Sequence, residues 1–119
     1  MIYEQRIYKC YPGRMPNLLK RFETTTLSIW ERHGIRQAGF WTPVVGKSNL
    51  ELFYLLAWLS MSEREEKWEA FRKDPEWLQK REASEEDGPI VASIENSFLE
   101  PTNFSCVKEY GKQDGWLNT

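Results

Sequence analysis

The chain has 119 residues, a mass of 14.2 kDa and a formal net charge of −2, which fits one domain with a single core. Its 16 basic and 18 acidic residues form no basic footprint, so we expect no nucleic-acid partner. Since neither a targeting signal nor an apolar stretch of spanning length is present, we expect a cytoplasmic protein without a membrane span.

The first half of the chain predicts a strand, a helix and a hairpin. Residues 2–10 alternate with a period of two, which is typical of a strand. From Pro16, apolar residues recur at spacings of three and four, which predicts an amphipathic helix that ends at Gly34. Residues 35–45 and 50–59 are predicted as antiparallel strands joined by a short polar link. Because residues 50–59 are apolar on both faces, this strand is expected at the sheet centre.

The second half predicts a charged helical region and a last strand. The helical region covers residues 62–86 and is expected to break at Asp74-Pro75, with Asp74 capping a new helix. The charged run from Glu63 to Glu69 is interpreted as a solvated helix face. Residues 90–99 alternate again and predict the fourth strand.

The order βαββαβ predicts an α+β, ferredoxin-like protomer, a four-stranded antiparallel sheet with helices on one face. The central strand is apolar on its uncovered side as well, and burying that side needs a partner. We therefore predict a homodimer in which two sheets close face to face as a dimeric α+β barrel.

The cysteines and the single histidine limit the possible cofactors. Cys10 and Cys106 have no metal-binding spacing and are expected to be two free thiols. His33 is the one histidine, so haem through a single axial ligand is the only metal-like option. We predict no cofactor and no metal site.

A polar and aromatic sheet face is expected opposite the helices. If Ile7 and Phe53 face the helices, the other face carries Glu4, Arg6, Tyr8, Gln37, Gly39, Trp41, Tyr54, Trp58, Ser93, Glu95 and Ser97. Two interpretations are open. These side chains line a small-molecule cavity, or Glu4, Arg6 and Glu95 form an ion-pair network at the dimer interface.

His33 also has two interpretations. At the end of a helix it acts as a cap or packing residue, or it acts as a base beside a neighbouring carboxylate. For a catalytic site, we predict His33 as proton acceptor and Arg6 as anion or oxyanion partner. The pocket would lie between sheet and helices, bordered by Trp30, His33, Trp41, Tyr54, Trp58 and Glu95. Its ligand would be a small apolar or aromatic molecule.

Six short segments together resemble the NIPSNAP family over about residues 2–105. They are Tyr3-Glu4-Gln5-Arg6-Ile7-Tyr8, Pro12-Gly13, Trp30-Glu31-Arg32-His33-Gly34, Gly39-Phe40-Trp41, Asp74-Pro75-Glu76-Trp77 and Ser97-Phe98-Leu99-Glu100-Pro101. The resemblance implies a dimeric α+β barrel and carries over no catalytic residues. We expect a NIPSNAP-like domain at 1–105 and a C-terminal tail at 106–119.

The expected function follows from this fold and the polar face. We predict a small-molecule-binding protein and leave open whether it is an enzyme. The alternative is a non-catalytic interaction or scaffold module with a packed barrel.

Overall fold

The computed structural model describes residues 1–108, and within this range four strands form one antiparallel sheet. The strands are β1 (Ile2–Cys10), β2 (Arg36–Trp41), β3 (Glu51–Trp58) and β4 (Val91–Leu99), in the order β2-β3-β1-β4. The helices are α1 (Met15–Arg21), α2 (Leu27–His33), α3 (Met61–Arg72) and α4 (Pro75–Ser84). The predicted ferredoxin-like α+β protomer is confirmed.

The helix boundaries follow from local capping chemistry. Gly34 ends α2 with φ at +74°, a left-handed conformation that glycine adopts without steric cost. The Ser60 side chain caps α3, and the Asp74 carboxylate accepts the Glu76 backbone N–H at 2.8 Å to cap α4. A π-helical turn (Phe22–Thr26) joins α1 to α2, and the apolar periodicity does not predict it.

The third strand lies at the sheet centre, as predicted. It pairs with β1 on one side and with β2 on the other. Tyr54, Leu56 and Trp58 are fully buried against the helices. β2 ends at Trp41, four residues earlier than expected, and a loop over residues 42–50 leads into β3.

Aromatic rings fill the space between sheet and helices. Seven of them are Tyr8, Phe22, Trp30, Phe40, Tyr54, Trp68 and Phe71. Their ring centroids lie 4.7–6.2 Å apart in tilted, edge-on and stacked pairs, a spacing at which aromatic pairs are attractive. Leu78 is exposed on α4 and lies outside this aromatic core.

The predicted assignment of sheet faces is wrong. Arg6 pairs with Tyr54 in the register and Ile7 pairs with Phe53. Because Tyr54 lies in the core, Arg6 faces the helices, whereas Ile7 and Phe53 lie on the opposite, open face. Both faces of β1 carry a mixture of polar and apolar residues. The face with Glu4 and Arg6 can be buried because the two side chains form an ion pair.

The open face, here Gln5, Ile7, Trp41, Phe53, Leu55 and Glu95, is covered by no helix among residues 1–108. Its central side chains Gln5, Ile7, Phe53 and Leu55 are half-buried in the single chain. None of the described helices has the length and apolar character to cross a membrane. Residues 109–119 of the predicted tail lie outside the described range, and the division at residue 105 stays a prediction.

A tight contact in β2 depends on a glycine. Gly39 has φ at +119° and lies where the pairing of β2 with β3 shifts register. A Cβ atom at this position would lie 2.5 Å from the Trp41 ring. The indole therefore packs directly on the Gly39 backbone, a contact that only glycine permits.

Gly39→Ala is expected to destabilise the fold more than Gly88→Ala. Gly88 has a similar φ of +124°, but a Cβ there meets nothing within 4 Å. Backbone strain is thus shared, and at Gly39 alone the half-exposed Trp41 indole must also leave its preferred position, which adds about 0.5–1.5 kcal/mol. Urea unfolding of both variants measures the difference. Equal losses would show that Trp41 does not pack on Gly39.

Candidate functional site

A buried polar cluster lies between the sheet and α3. We call it the Glu4 cluster, and its members are Glu4, Arg6, Tyr54, Trp58, Arg64 and Asn96. The Glu4 carboxylate is fully buried at its centre. Its Oε2 accepts hydrogen bonds from Arg6 at 2.9 Å, Arg64 at 3.1 Å and Asn96 at 3.0 Å. Its Oε1 accepts from the Trp58 indole at 3.1 Å and from Arg64 Nε at 3.2 Å.

These bonds keep Glu4 ionised. Burial raises the pKa of the carboxyl, but the hydrogen bonds from Arg64 and Asn96 and the charge of Arg6 outweigh it, so the pKa is lowered. Arg64 binds both carboxylate oxygens in the two-pronged geometry that favours arginine over lysine. The cluster thus holds a charged carboxylate inside the fold.

Arg6 is held by the core as well as by Glu4. It is only 7% exposed, and its Nε donates to the Tyr54 hydroxyl at 2.8 Å. Its guanidinium also lies 4.6 Å from the Trp68 ring centre. Burial opposes the charge, but the Tyr54 and Tyr8 oxygens and the Glu4 carboxylate raise the pKa of Arg6. Arg6 therefore stays positively charged.

The cluster reaches the surface along β4. Ile94, Asn96 and Phe98 lie on the helix-facing side of β4, because they pair in register with Tyr8, Arg6 and Glu4. Ile94 is 48% exposed and Phe98 41% exposed, and Asn96 is exposed too. The Arg64 guanidinium lies 5.4 Å from the Phe98 ring centre. We call these four residues (Arg64, Ile94, Asn96 and Phe98) the β4 platform.

His33 lies in a different part of the molecule. Its Nε2 is 2.6 Å from Oδ2 of Asp74, and Arg32 donates to the same oxygen at 2.7 Å. Asp74 caps α4, so these contacts join the end of α2 to the start of α4. Hydrogen bonds from Arg32 and His33 hold the pKa of Asp74 well below its usual value. The geometry gives His33 a packing role, and its catalytic role stays a prediction.

The predicted pocket residues do not border a single space. Tyr54 and Trp58 join Arg6 in the Glu4 cluster, and Trp30 lies beside them in the aromatic core. Trp41 and Glu95 lie on the open face, because they pair with Phe53 and Ile7. The predicted ion-pair network of Glu4, Arg6 and Glu95 is therefore corrected to Glu4, Arg6 and Arg64, beneath the helices.

Arg64 and Asn96 are site residues that the sequence does not single out. Arg64 lies within the charged run of α3, where Glu65, Glu66 and Glu69 face solvent. Arg64 differs from these residues only in its contact with Glu4 on β1, which the local sequence does not reveal. Asn96 is one of several polar residues in β4, and its role depends on its register partner Arg6.

The described residues offer little for a metal or haem. No group of three His, Cys, Asp or Glu side chains within residues 1–108 is placed to hold a metal ion. Haem fits poorly, because Nε2 of His33 is engaged by Asp74. Cys10 and Cys106 are both free thiols, and burial raises the pKa of Cys10.

The comparisons with known proteins agree with this fold. The family model described as NIPSNAP matches residues 3–106. Among curated proteins, none is significantly similar in sequence. A NIPSNAP family protein of unknown function from Agrobacterium tumefaciens is 28% identical, with a TM-score of 0.78 and coverage of 89% of this chain and 92% of its own. An uncharacterised NIPSNAP domain protein from Burkholderia xenovorans is 27% identical, with a TM-score of 0.77 and coverage of 90% and 100%.

A more distant structural neighbour shares the fold alone. It is a mutant of MhuD with two manganese protoporphyrin IX molecules bound per active site. It is 18% identical, with a TM-score of 0.55, and the alignment covers 90% of this chain and 100% of the other.

The Asp74 contacts predict how stability depends on pH. The pKa of Asp74 is lowered in the folded state, so the ionised carboxylate adds to the free energy of unfolding. This contribution is fully present above the unfolded-state pKa of about 3.9 and is lost as the pH falls through and below that value. Asp74→Asn keeps a capping oxygen but removes the charge. The free energy of unfolding of this variant should therefore fall less steeply between about pH 5 and pH 2.

Asp87→Asn is the matched control. Asp87 pairs with Arg14 but is exposed, so solvent screens the pair and the pH dependence should change less. Denaturant unfolding across this pH range measures both variants. Equal slopes for Asp74→Asn and the unmodified chain would contradict the assigned role of Asp74.

Proposed function

Because this chain belongs to the NIPSNAP family, we propose that it is a homodimeric α+β barrel protein that binds a small organic anion on the β4 platform. The ligand class is a carboxylate joined to an apolar or aromatic body. The observation that carries the proposal is the composition of the Glu4 cluster, two guanidinium groups around a single carboxylate.

Charge is the first argument. Arg6 and Arg64 are positive and Glu4 is negative, so among residues 1–108 this buried group carries one uncompensated positive charge. Such a charge in a poorly solvated place attracts an anion more strongly than it would in water. Arg64 is the member that reaches the surface, since its side chain is 20% exposed.

The apolar surroundings are the second argument. Phe98 is a large apolar side chain that stays exposed beside Arg64, and Ile94 is exposed on the same face of β4, two residues before Asn96. A ligand with an apolar body covers them while its carboxylate meets the guanidinium and the Asn96 amide. In this arrangement Arg64 binds the anion directly, and Arg6, the predicted anion partner, holds the Glu4 carboxylate that positions Arg64.

The molecule bound by the MhuD mutant belongs to the same chemical class as the proposed ligand. Protoporphyrin IX combines carboxylates with a flat aromatic body. A porphyrin itself is not proposed here, because His33 is bonded to Asp74 and lies away from the β4 platform.

The open face supports the homodimer. β1 and β3 are the central strands, and they present half-buried Ile7, Phe53 and Leu55 on the side without helices. A second copy of the same face covers these residues in a two-fold arrangement. The half-exposed Trp41 lies at the margin of this surface.

An interaction or scaffold module is the second candidate. The space between sheet and helices is filled by aromatic rings, and both oxygens of Glu4 are satisfied within the chain. A filled interior and a satisfied network need no ligand. Ligand binding at the β4 platform therefore separates the two functions.

Benzoate is expected to bind the β4 platform, whereas benzamide, which has the same shape without the charge, is not. Arg64→Gln should weaken benzoate binding about tenfold or more, because it removes a hydrogen bond to a charged group. Calorimetric titration measures the affinity, and the Trp58 and Trp68 indole N–H signals in NMR report the location.

Arg72→Gln is the control for this test. Arg72 lies on the same helix, is exposed, and pairs only with Glu69 among residues 1–108, so benzoate affinity should be unchanged. Thermal unfolding confirms that both variants are folded. Equal binding of benzoate and benzamide, or no binding of either, would refute the ligand proposal and favour the interaction module.

The dimer is tested by changing the open face. Light scattering at micromolar concentration should give twice the chain mass of 14.2 kDa. Leu55→Lys places a charge at the centre of the proposed interface and should produce a monomer. Leu78→Lys, at an exposed leucine of α4, should remain dimeric. A monomeric unmodified chain would contradict the proposal.

A further inference from the structure

A second polar depression lies on the helix layer, apart from the β4 platform. It has a volume of about 200 Å³, where the end of α1 and the π-helical turn meet the end of α4. Its polar lining consists of Asn17, Lys20, Arg21, Thr24, Thr25 and Ser84. Two of these side chains are cationic, and none is acidic.

Arg21 is the central residue of this depression. It is only 8% exposed, and its Nη1 donates to the Ser84 hydroxyl at 3.3 Å. Its Nε is buried and has no hydrogen-bond partner among residues 1–108. Buried charged donors are normally paired, so this unpaired N–H leaves the Arg21 guanidinium short of one acceptor.

The nearby carboxylate does not supply that acceptor. Glu85 Oε2 lies 3.8 Å from Nη1 of Arg21, beyond hydrogen-bond distance. The same oxygen accepts the backbone N–H of Ile90 at 3.3 Å, and its partner oxygen lies 3.9 Å from Arg81. A single carboxylate is thus shared between Arg21 and Arg81, while Lys20 adds a further positive charge.

Several donors remain for a ligand. The Thr24 hydroxyl donates to the Lys20 carbonyl, and the Ser84 hydroxyl donates to the Arg81 carbonyl. These two hydroxyls line the depression but have no proton left to donate to a ligand. Lys20 and Asn17 supply N–H donors, and the Thr25 hydroxyl, which makes only a long contact of 3.5 Å to the Thr24 oxygen, is a further donor. Together with Arg21, these donors converge from two consecutive helical segments. The π-helical turn that follows Arg21 is a feature often found at functional sites.

From this arrangement we propose that the depression binds a phosphate group. A tetrahedral oxyanion accepts hydrogen bonds in several directions, which suits donors from Arg21, Lys20, Asn17 and Thr25 better than a flat carboxylate does. A volume of about 200 Å³ accommodates phosphate alone or with a small organic group. The site is independent of the proposed carboxylate site, since the two share no residue.

NMR titration with inorganic phosphate tests the proposal. The Arg21 Nε–H signal and the backbone signals of Thr24 and Thr25 should shift and saturate. Sodium chloride at the same ionic strength should not reproduce the shifts. Lys20→Gln should weaken phosphate binding about two- to fivefold, as expected for an exposed cation. Arg21→Gln should weaken it at least about tenfold, since it removes a buried charged donor.

The controls separate this site from the rest of the molecule. Lys73→Gln, at an exposed lysine just after α3, should leave phosphate binding unchanged. If Arg21→Gln does not fold, Lys20→Gln and Thr25→Val decide the matter. A parallel titration with phenyl phosphate identifies the ligand class. Tighter binding of phenyl phosphate than of inorganic phosphate would indicate a phosphate monoester, and equal or weaker binding would indicate free phosphate. Shifts that never saturate, or that all variants share, would overturn the proposal.

Discussion

The structure depends on a carboxylate that is charged and fully buried. Glu4 receives hydrogen bonds from Arg6 on its own strand, Trp58 on β3, Asn96 on β4 and Arg64 on α3. Leaving such a buried charge without partners costs several kcal/mol. Moving any of these donors away from Glu4 is therefore unfavourable. One ion thereby fixes the relative positions of three strands and a helix.

The same ion explains which sheet face is covered. Once Glu4 and Arg6 face the helices, Ile7 and Phe53 must face the other way, because side chains alternate along a strand. The open face then carries Ile7, Phe53 and Leu55 near its centre, where the homodimer interface is proposed. On the covered side, Arg64 extends the buried charge to the edge of β4, beside Phe98. The proposed dimer interface and the proposed anion site thus lie on opposite sides of one sheet.

Much of the fold was predictable because its signals are local. The strand at residues 2–10, the stop at Gly34 and the cap at Asp74 each follow from alternation or from the chemistry of a single residue. The face of β1 was not predictable, since both of its faces mix polar and apolar side chains. The π-helical turn after Arg21 leaves no trace in the spacing of apolar residues.

The site was harder to predict than the fold. Arg6, Tyr54 and Trp58 were predicted as site residues and do come together, but Arg64 and Asn96 depend on contacts between distant parts of the chain. A double-mutant cycle tests the central role of Glu4 most directly. It compares the free energy of unfolding of Glu4→Gln, Arg64→Gln and the double variant. We predict a coupling energy of at least about 1 kcal/mol between the two residues. Additive losses would contradict the account, because they would mean that Glu4 does not hold α3 to the sheet.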